Sequence, residues 1–454
     1  MVFLDSRDDS SRLDSIDNTG FGGSVPAALI SASASGQGKS MITAALARLH
    51  RNLGRRVRVF KHGPDYLDPM VLEKASGAPV YQLHPWMTGE AECQWRLAKA
   101  ATEADLVLVE GSMGLFDGNP SSADLAVLMG LPVIPVISAA AMAQTFGALV
   151  KGLATYRPDV RVREVIANRI GSERHAAMLR ESLPSGTSLW GAVPRHEALS
   201  IPDRHLGLFQ ADEIGDIDAQ LDAAAEVLAK AGLERLPEPV TLRAKAPNPY
   251  PPLLQGVRIA IARDFAFAFL YRANLEMLEA MGAELSFFSM LDSPELPEAD
   301  ALWLPGGYPE LHAEALSRNS SLRESIRAHH AKAKPILAEC GGLMACMETL
   351  VDAEGQSHSM LGLLPGQAKM AGKLVGLGLQ SLTCSDGELR GHAFHHSLLE
   401  TPLQPALFTR RQRFSSQGEA VFTQDGLIAT YFHLYFPSCP QAVARIFTTG
   451  TLSA

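Results

Sequence analysis

The sequence lacks any run of about 18 apolar residues, which excludes a transmembrane helix. Its opening stretch, M-V-F-L-D-S-R-D-D-S-S-R-L-D, has no apolar core, so no secretory leader is expected. Positive charge is in deficit: 40 Lys and Arg against 49 Asp and Glu leave a net charge of -9. That balance argues against a general nucleic-acid binder. It also means that a polyanionic ligand must be met by a local basic site, because the overall field repels it. Cysteine is scarce. Cys93, Cys340, Cys346, Cys384 and Cys439 form no C-x-x-C pair, so a zinc site is not expected. An odd, scattered set of thiols points to a reducing, cytoplasmic setting. There is no internal repeat.

What is present is enough chain for two or three domains, with 46% hydrophobic and 20% charged residues, as in a globular protein. Residues 1–24 read as a mobile tail. Short apolar runs then alternate with helical periodicity. Strands are expected at Pro26 to Ser33, Arg56 to Phe60, Ala104 to Glu110, Leu131 to Ser138, Val162 to Ala167 and Leu189 to Val193. Helices are expected over Met41 to Leu49, Gln144 to Ala154 and Ala219 to Ala231, with Thr43 and Arg48 on the wet side of the first. This alternation means a parallel sheet covered on both faces. Residues 236–255 hold Pro237, Pro239, Pro247, Pro249, Pro251 and Pro252, a density read as a linker. The α/β pattern restarts at Val257, so the chain divides into 25–235 and 256–454.

Three features carry chemistry: a phosphate loop, a pair of strand-end loops, and a strand-turn-helix around a cysteine. Ser33 to Ser40, S-A-S-G-Q-G-K-S, fits the phosphate-loop pattern G-x-x-x-x-G-K-S/T except that serine stands at the first glycine. In it Gly36 and Gly38 shape the loop, backbone N–H groups cradle phosphates, Lys39 reaches the outer phosphates and Ser40 holds Mg²⁺. Lys61 to Pro69, K-H-G-P-D-Y-L-D-P, and Glu110 to Gly118, E-G-S-M-G-L-F-D-G, lie at strand ends, where such sheets bind ligands. Asp65, Asp68 and Glu110 there are candidates for holding a metal ion opposite the phosphate loop. Third, Lys334 to Met344, K-P-I-L-A-E-C-G-G-L-M, reads as strand, sharp turn, nucleophile and helix, with the helix over Leu343 to Leu350. Cys340 at a helix N-terminus is expected to favour the thiolate.

Together these motifs resemble the glutamine-dependent a,c-diamide synthases of cobyrinic or hydrogenobyrinic acid. The family loop K-C-G-P-D-Y-I/L-D-P is matched by Lys61 to Pro69, with His62 for the cysteine. P-G-G-Y-P-E is matched at Pro305 to Glu310, A-E-C-G-G at Ala338 to Gly342, and R-G-H-x-F-H-x-S at Arg390 to Ser397. The resemblance implies an N-terminal P-loop domain similar to dethiobiotin synthetase. That domain would use ATP and Mg²⁺ to phosphorylate a substrate carboxylate. It implies a C-terminal class I glutaminase domain that releases ammonia to displace the phosphate. Cobalamin biosynthesis is the implied setting, and the a and c carboxylates of a tetrapyrrole polycarboxylate are amidated in turn.

Within this frame Cys340 is the expected nucleophile and His433, in Y-F-H-L-Y-F, its base. No acidic third member follows His433. Backbone N–H groups near Gly307 and Gly341 are expected to form the oxyanion hole. Lys61, Asp65, Tyr66, Leu67 and Asp68 are expected to meet the substrate, Asn168 to lie near adenine, and Ser40, Asp65 and Glu110 to hold the metal. His392, His395 and His396 are given a structural or interdomain role rather than a metal. ATP, glutamine and the tetrapyrrole acid are the expected partners. No nucleic acid or membrane is expected, and a homodimer stays open. Two close alternatives share the scaffold: cobyric acid synthase and the synthase acting on nickel sirohydrochlorin. A partitioning-type ATPase is the remote one, opposed by the appended Cys340 domain.

Overall fold

The computed structural model describes residues 20–200, 203–204, 207–208, 213 and 215–453. The apolar runs of the first half form seven parallel strands: β1 Phe21–Ala32, β2 Val57–His62, β3 Tyr81–Leu83, β4 Leu106–Glu110, β5 Val133–Ser138, β6 Glu164–Ile170 and β7 Ser188–Pro194. Their spatial order is β3-β2-β4-β1-β5-β6-β7. Central strands are apolar on both faces because helices cover both. Ala27, Leu29 and Val107 pack into one core, and Ala28, Ile30 and Leu108 into the other. The order reverses beside β1, so the C-terminal ends of β1 and β4 flank a crevice suited to a ligand.

Two expectations fail at the margins of this domain. The tail does not reach residue 24. Residues 1–19 lie outside the described residues, but β1 already begins at Phe21. The proline-dense stretch is not wholly linker either. Pro239–Ala244 pairs antiparallel with β1, from Phe21 opposite Ala244 to Pro26 opposite Pro239. Proline is tolerated because it is the first residue of a strand at the sheet margin. The strand's polar opening, F-G-G-S, hid it, yet Gly22 is required there. A Cβ at Gly22 would lie 2.0 Å from the Leu242 carbonyl oxygen.

Helix α1, Lys39–Asn52, follows the phosphate loop, and α2, Leu67–Ser76, follows the proline-flanked loop. Thr43 and Arg48 are buried, not wet. The Thr43 hydroxyl donates to the Lys39 carbonyl at 2.9 Å. Arg48 donates to Asp222 at 2.6 Å and Asp218 at 2.7 Å, both on the helix Ile217–Lys230, which lies over the face where solvent was expected. Arg48→Ala should lower stability by about 1–2 kcal/mol, read from the urea midpoint. The half-exposed carboxylates screen the charge part of the loss, so packing and hydrogen bonds make up most of it.

The second domain is built on five parallel strands in the order Glu284–Phe288, Arg258–Ala262, Ala301–Leu304, Ile336–Glu339 and Leu427–Thr430. Antiparallel strands extend this sheet to Phe432–Tyr435, which pairs with Gly387–His395. The helix after Cys340 is short, Gly341–Cys346, and the chain turns at once into the strand Met347–Val351. The expected helix over Leu343 to Leu350 therefore ends early. Thr349 and Val351 favour the strand in M-E-T-L-V, and pairing with Leu364–Met370 rewards it.

Between the domains Met87, Tyr271, Ala273 and Tyr435 form a small apolar core, with Tyr66, Trp86 and Leu379 against it. Arg96 ties the surfaces together. It lies over the Tyr81 ring at 3.9 Å and donates to Glu276 at 3.0 Å. Arg390 of the second domain donates to the Trp86 carbonyl at 3.0 Å.

Candidate active sites in two domains

The first site forms where β1, β2 and β4 end. Glu110 closes β4 and is fully buried. Its Oε1 accepts from Lys39 Nζ at 2.7 Å, Ser40 Oγ at 2.7 Å and Lys61 Nζ at 3.0 Å. Lys61 also pairs with Asp68. Two cations and two anions thus balance inside the protein. Burial disfavours charge on Lys61, but Asp68, Glu110 and Asp65 outweigh it and hold the amine above its ordinary value. Burial likewise opposes charge on Glu110, yet Lys39 and Lys61 prevail and keep it well below the usual carboxylate range. For Asp68, burial and the Glu110 charge push upward and win over Lys61.

Glu110 Oε2 is buried with no partner. An orphaned carboxylate oxygen beside a hydroxyl is costly and fits a hard cation with oxygen ligands. Asp65 plays a second part. Its Oδ1 accepts from the backbone N–H groups of Leu67 at 2.8 Å and Asp68 at 2.9 Å, which caps the start of α2. Leu67 and Tyr66 are half-buried beside it.

Asn168 at the end of β6 reaches back to the phosphate loop, where its Nδ2 donates to the Gln37 carbonyl at 2.9 Å. With Arg169, Pro194, Arg195, His196 and Glu197 it lines a cavity of about 390 Å³. Sequence reading passed over Asp117, though it lies in the quoted E-G-S-M-G-L-F-D-G. Its Oδ2 accepts from the Gly114 N–H at 2.9 Å and so shapes the loop that abuts the phosphate loop.

The second site centres on Cys340. Its φ of 48° and ψ of -102° are a strained conformation for a residue with a side chain. The Cys340 N–H donates to the Thr430 carbonyl at 2.7 Å, which fixes the turn. Gly307 and Gly341 come together. A Cβ on Gly341 would lie 3.0 Å from the Gly307 nitrogen, so only glycine leaves room for a ligand at these two amides. The thiolate expectation is not met in the resting enzyme. Burial pushes the Cys340 thiol up, Glu310 adds to it, and the Gly341 N–H opposes it only in part.

His433 is buried, and a Cβ on Gly306 would lie 2.3 Å from its Cε1. Burial, with His392 and His395 adding to it, holds the imidazole well below 6.5. The two groups at rest are therefore a thiol and a neutral imidazole. A group lowered in this way stays a competent base below the ordinary imidazole range. The kcat/KM for glutamine should accordingly show no acid limb centred near 6.5 and should stay level as the pH falls from 8 to 6, measured as glutamate release.

His433 Nδ1 has no partner, so no carboxylate orients it. The nearby acid is Glu339. It was overlooked because it precedes the nucleophile instead of following the base. Its Oε1 accepts from the Leu434 N–H at 2.6 Å and its Oε2 from Trp303 Nε1 at 2.7 Å. It pins the base-bearing strand beside Cys340. Burial pushes it up to about 8, against those two hydrogen bonds.

The other histidines part company. His392 faces His433 across the strand pair, whereas His395 stacks on Tyr431 at 3.9 Å and pairs with Glu419 at 3.3 Å. Tyr66, from the first domain, lies 5.3 Å from the His433 ring and stacks on Tyr271 at 4.4 Å. The proline-flanked loop therefore touches both sites.

Residues 29–208 match the CobQ/CobB/MinD/ParA nucleotide-binding domain family, and residues 258–440 match the CobB/CobQ-like glutamine amidotransferase domain family. Over 421 residues the chain is 55% identical to a hydrogenobyrinate a,c-diamide synthase of Pseudomonas aeruginosa, covering 93% of this chain and 97% of that one. The same identity and 93% coverage hold for a protein of that name from Stutzerimonas stutzeri, 98% of which is covered. A cobyrinate a,c-diamide synthase of Herminiimonas arsenicoxydans is 51% identical, with 92% of this chain and 96% of the relative covered.

Proposed function

Because the chain belongs to the family of hydrogenobyrinate and cobyrinate a,c-diamide synthases, we propose that its two sites divide one ligase reaction between them. The protein is a glutamine-hydrolysing, amide-forming ligase of cobalamin biosynthesis, with a nucleotide-binding domain and a glutamine amidotransferase domain. Its reaction amidates two carboxylates of a corrin acid. The observation that carries the division of labour is the Lys39–Ser40–Glu110–Lys61 cluster in one domain and, in the other, Cys340 in its strained turn, the Gly307 and Gly341 amides beside each other, and His433 packed against Gly306.

In the synthetase site Lys39 meets the γ-phosphate and Lys61 the acceptor carboxylate. Two anions that repel each other are thereby brought into line. Ser40 and Glu110 Oε2 would hold Mg²⁺, and we assign Asp65, whose Oδ1 is engaged by the start of α2, to the same site through its other oxygen. Bound there, Mg²⁺ supplies charge that offsets the phosphates. The carboxylate oxygen attacks the γ-phosphorus, the bond to the bridging oxygen breaks and ADP leaves, which gives an acyl phosphate without a protein nucleophile. Gly36 and Gly38 let the loop backbone approach the phosphates, and the cavity beside Asn168 suits the adenine end of ATP.

In the glutaminase site His433 takes the Cys340 proton as sulfur attacks the glutamine amide. The Gly307 and Gly341 amides receive the oxyanion. His433 then returns the proton to the departing nitrogen, and water releases glutamate from the thioester.

Tyr66 and Leu67 offer an apolar face to a flat macrocycle, and Asp68 tethers Lys61. Asp68→Asn should lower turnover by about tenfold or more with substrate affinity largely kept, because Lys61 loses its charged partner. Leu67→Ala should instead weaken substrate binding or release more monoamide. A time course resolving mono- and diamide separates the two outcomes. Equal slowing of both amidations by Leu67→Ala, at unchanged affinity, removes this loop from the substrate site. The reaction as a whole is tested by mass spectrometry after incubation with ATP, Mg²⁺, glutamine and either hydrogenobyrinic or cobyrinic acid. Absence of the a,c-diamide from both acids overturns the reading.

A further inference from the structure

His433 has no carboxylate to hold its ring. Its Nδ1 is buried and without a partner, and Glu339 gives both oxygens to other donors, the Leu434 N–H and Trp303 Nε1. In a triad a carboxylate on Nδ1 sets the orientation of the imidazole. Here the ring is held by what packs against it. Gly306 lies against one edge, where a Cβ would come within 2.3 Å of Cε1. Three rings close the rest. His392 stacks on His433 at 4.9 Å with the planes 18° apart. Phe269 lies at 6.2 Å and Tyr66 at 5.3 Å, each inclined by 57°. His392 and Phe269 belong to the second domain, whereas Tyr66 comes from the first.

Tyr66 is itself braced. It stacks on Phe269 at 5.0 Å with the planes 2° apart and on Tyr271 at 4.4 Å. The Tyr271 hydroxyl donates to the Pro64 carbonyl at 2.9 Å, two residues before Tyr66, and also meets His392 Nδ1 at 3.0 Å. The Phe269 N–H donates to the Gly306 carbonyl at 3.0 Å. Asp65 caps the helix that begins at Leu67, so the chain is fixed on both sides of Tyr66. Tyr66 and Phe269 are half-buried, but His433 behind them is 1% exposed. These two rings therefore cover the imidazole on that side.

We propose that Tyr66, reaching from the nucleotide-binding domain, is a positioning residue of the glutaminase, which with Phe269 and His392 holds the His433 ring in the orientation that serves Cys340. Packing of rings then does what a carboxylate does in a triad. This rests on Cys340 and His433 being the nucleophile and base proposed above. The ring of Tyr66 makes these contacts, so its hydroxyl is dispensable. The titratable groups around the imidazole are His392 and His395 on the facing strand, Cys340 and Glu339 at the nucleophile turn, and Tyr66. Burial comes first among the causes that keep His433 low, and His392 and His395 add to it. Taking the Tyr66 ring away lets water reach the imidazole and removes part of that burial.

The full-length enzyme is given glutamine with neither ATP nor a tetrapyrrole acid, so a part played by Tyr66 in binding the macrocycle is not read. Tyr66→Ala should lower kcat for glutamate release about tenfold or more and leave KM within about twofold, because Cys340 and the Gly307 and Gly341 amides still receive the amide. Its pH profile should change as well. Once solvated, His433 rises toward the ordinary imidazole value, is protonated below it and can no longer accept the thiol proton. An acid limb centred near 6.5 should therefore appear in kcat/KM, where the wild type stays level. Tyr66→Phe should restore both the rate and the level profile. Tyr66→Leu, which keeps bulk without a ring, should show the same loss and the same limb if the alanine variant does not fold. Wild-type kcat with a level profile in a folded Tyr66→Ala or Tyr66→Leu enzyme overturns the proposal. So does a Tyr66→Phe enzyme as slow as Tyr66→Ala, or a rise in KM at unchanged kcat, which would set Tyr66 against glutamine itself. Wild-type glutamate release by His433→Ala would remove the base, a failure of the site assignment that is read separately from Tyr66.

Discussion

Cys340→Ala is expected to abolish glutamine-dependent amidation while leaving synthesis from high ammonium salt close to wild type. In the proposed mechanism the thiol forms the covalent bond to the amide carbon. Its removal leaves the Gly307 and Gly341 amides with nothing to stabilise. The synthetase cluster lies in the other domain, and the acyl phosphate proposed to form there can be intercepted by added ammonia. The loss in glutamate release should be on the order of 10³-fold or more. His433→Ala should behave alike, since a buried thiol pushed up by its surroundings cannot ionise without that base. If Cys340→Ala stays folded and loses ammonium-driven synthesis too, the two-site division fails.

The second large effect belongs to Lys39→Ala, which should stop amidation from either nitrogen source. Lys39 is the phosphate loop's own cation, and in the resting protein it lies against Glu110. Its removal takes away charge that must sit on the phosphates during transfer. The expected cost is about 3–4 kcal/mol in the transition state, or about 10²–10³-fold in rate. Free ammonia acts after that step and cannot replace it. Glutamate release should persist, which checks that the variant is folded. Normal ammonium-dependent synthesis by Lys39→Ala would refute the assignment.

Much of this site could be read in advance because its parts are local. A phosphate loop, a proline-flanked loop and a nucleophile elbow each announce themselves within about ten residues, and each sits at the end of an apolar strand. What was hidden depends on pairs distant in sequence. Pro239–Ala244 looked like linker because its partner strand lies at Phe21–Pro26. Arg48 looked wet because Asp218 and Asp222 are far along the chain. Glu339 was missed because it precedes the nucleophile, and its tie to the His433 strand, through the Leu434 N–H, is distant in sequence. The thiol state of Cys340 depends on how deeply the fold buries it, and local helix position argued the other way.

The antiparallel strand Pro239–Ala244 also bears on how the two halves can be prepared separately. A synthetase fragment cut at the apparent end of its domain, near Arg235, would strip the ladder from Phe21–Pro26 and present open N–H and C=O groups beside Phe21, which is 45% exposed. Bare strand edges recruit other chains, so that fragment should precipitate or form mixed oligomers. Extending the cut past Ala244 restores the pairing, and the cut must fall before Tyr250, because Tyr250 and Leu254 already pack into the core of the second domain. The useful boundary for dissecting the enzyme is therefore set by a hydrogen-bonded strand rather than by the first proline.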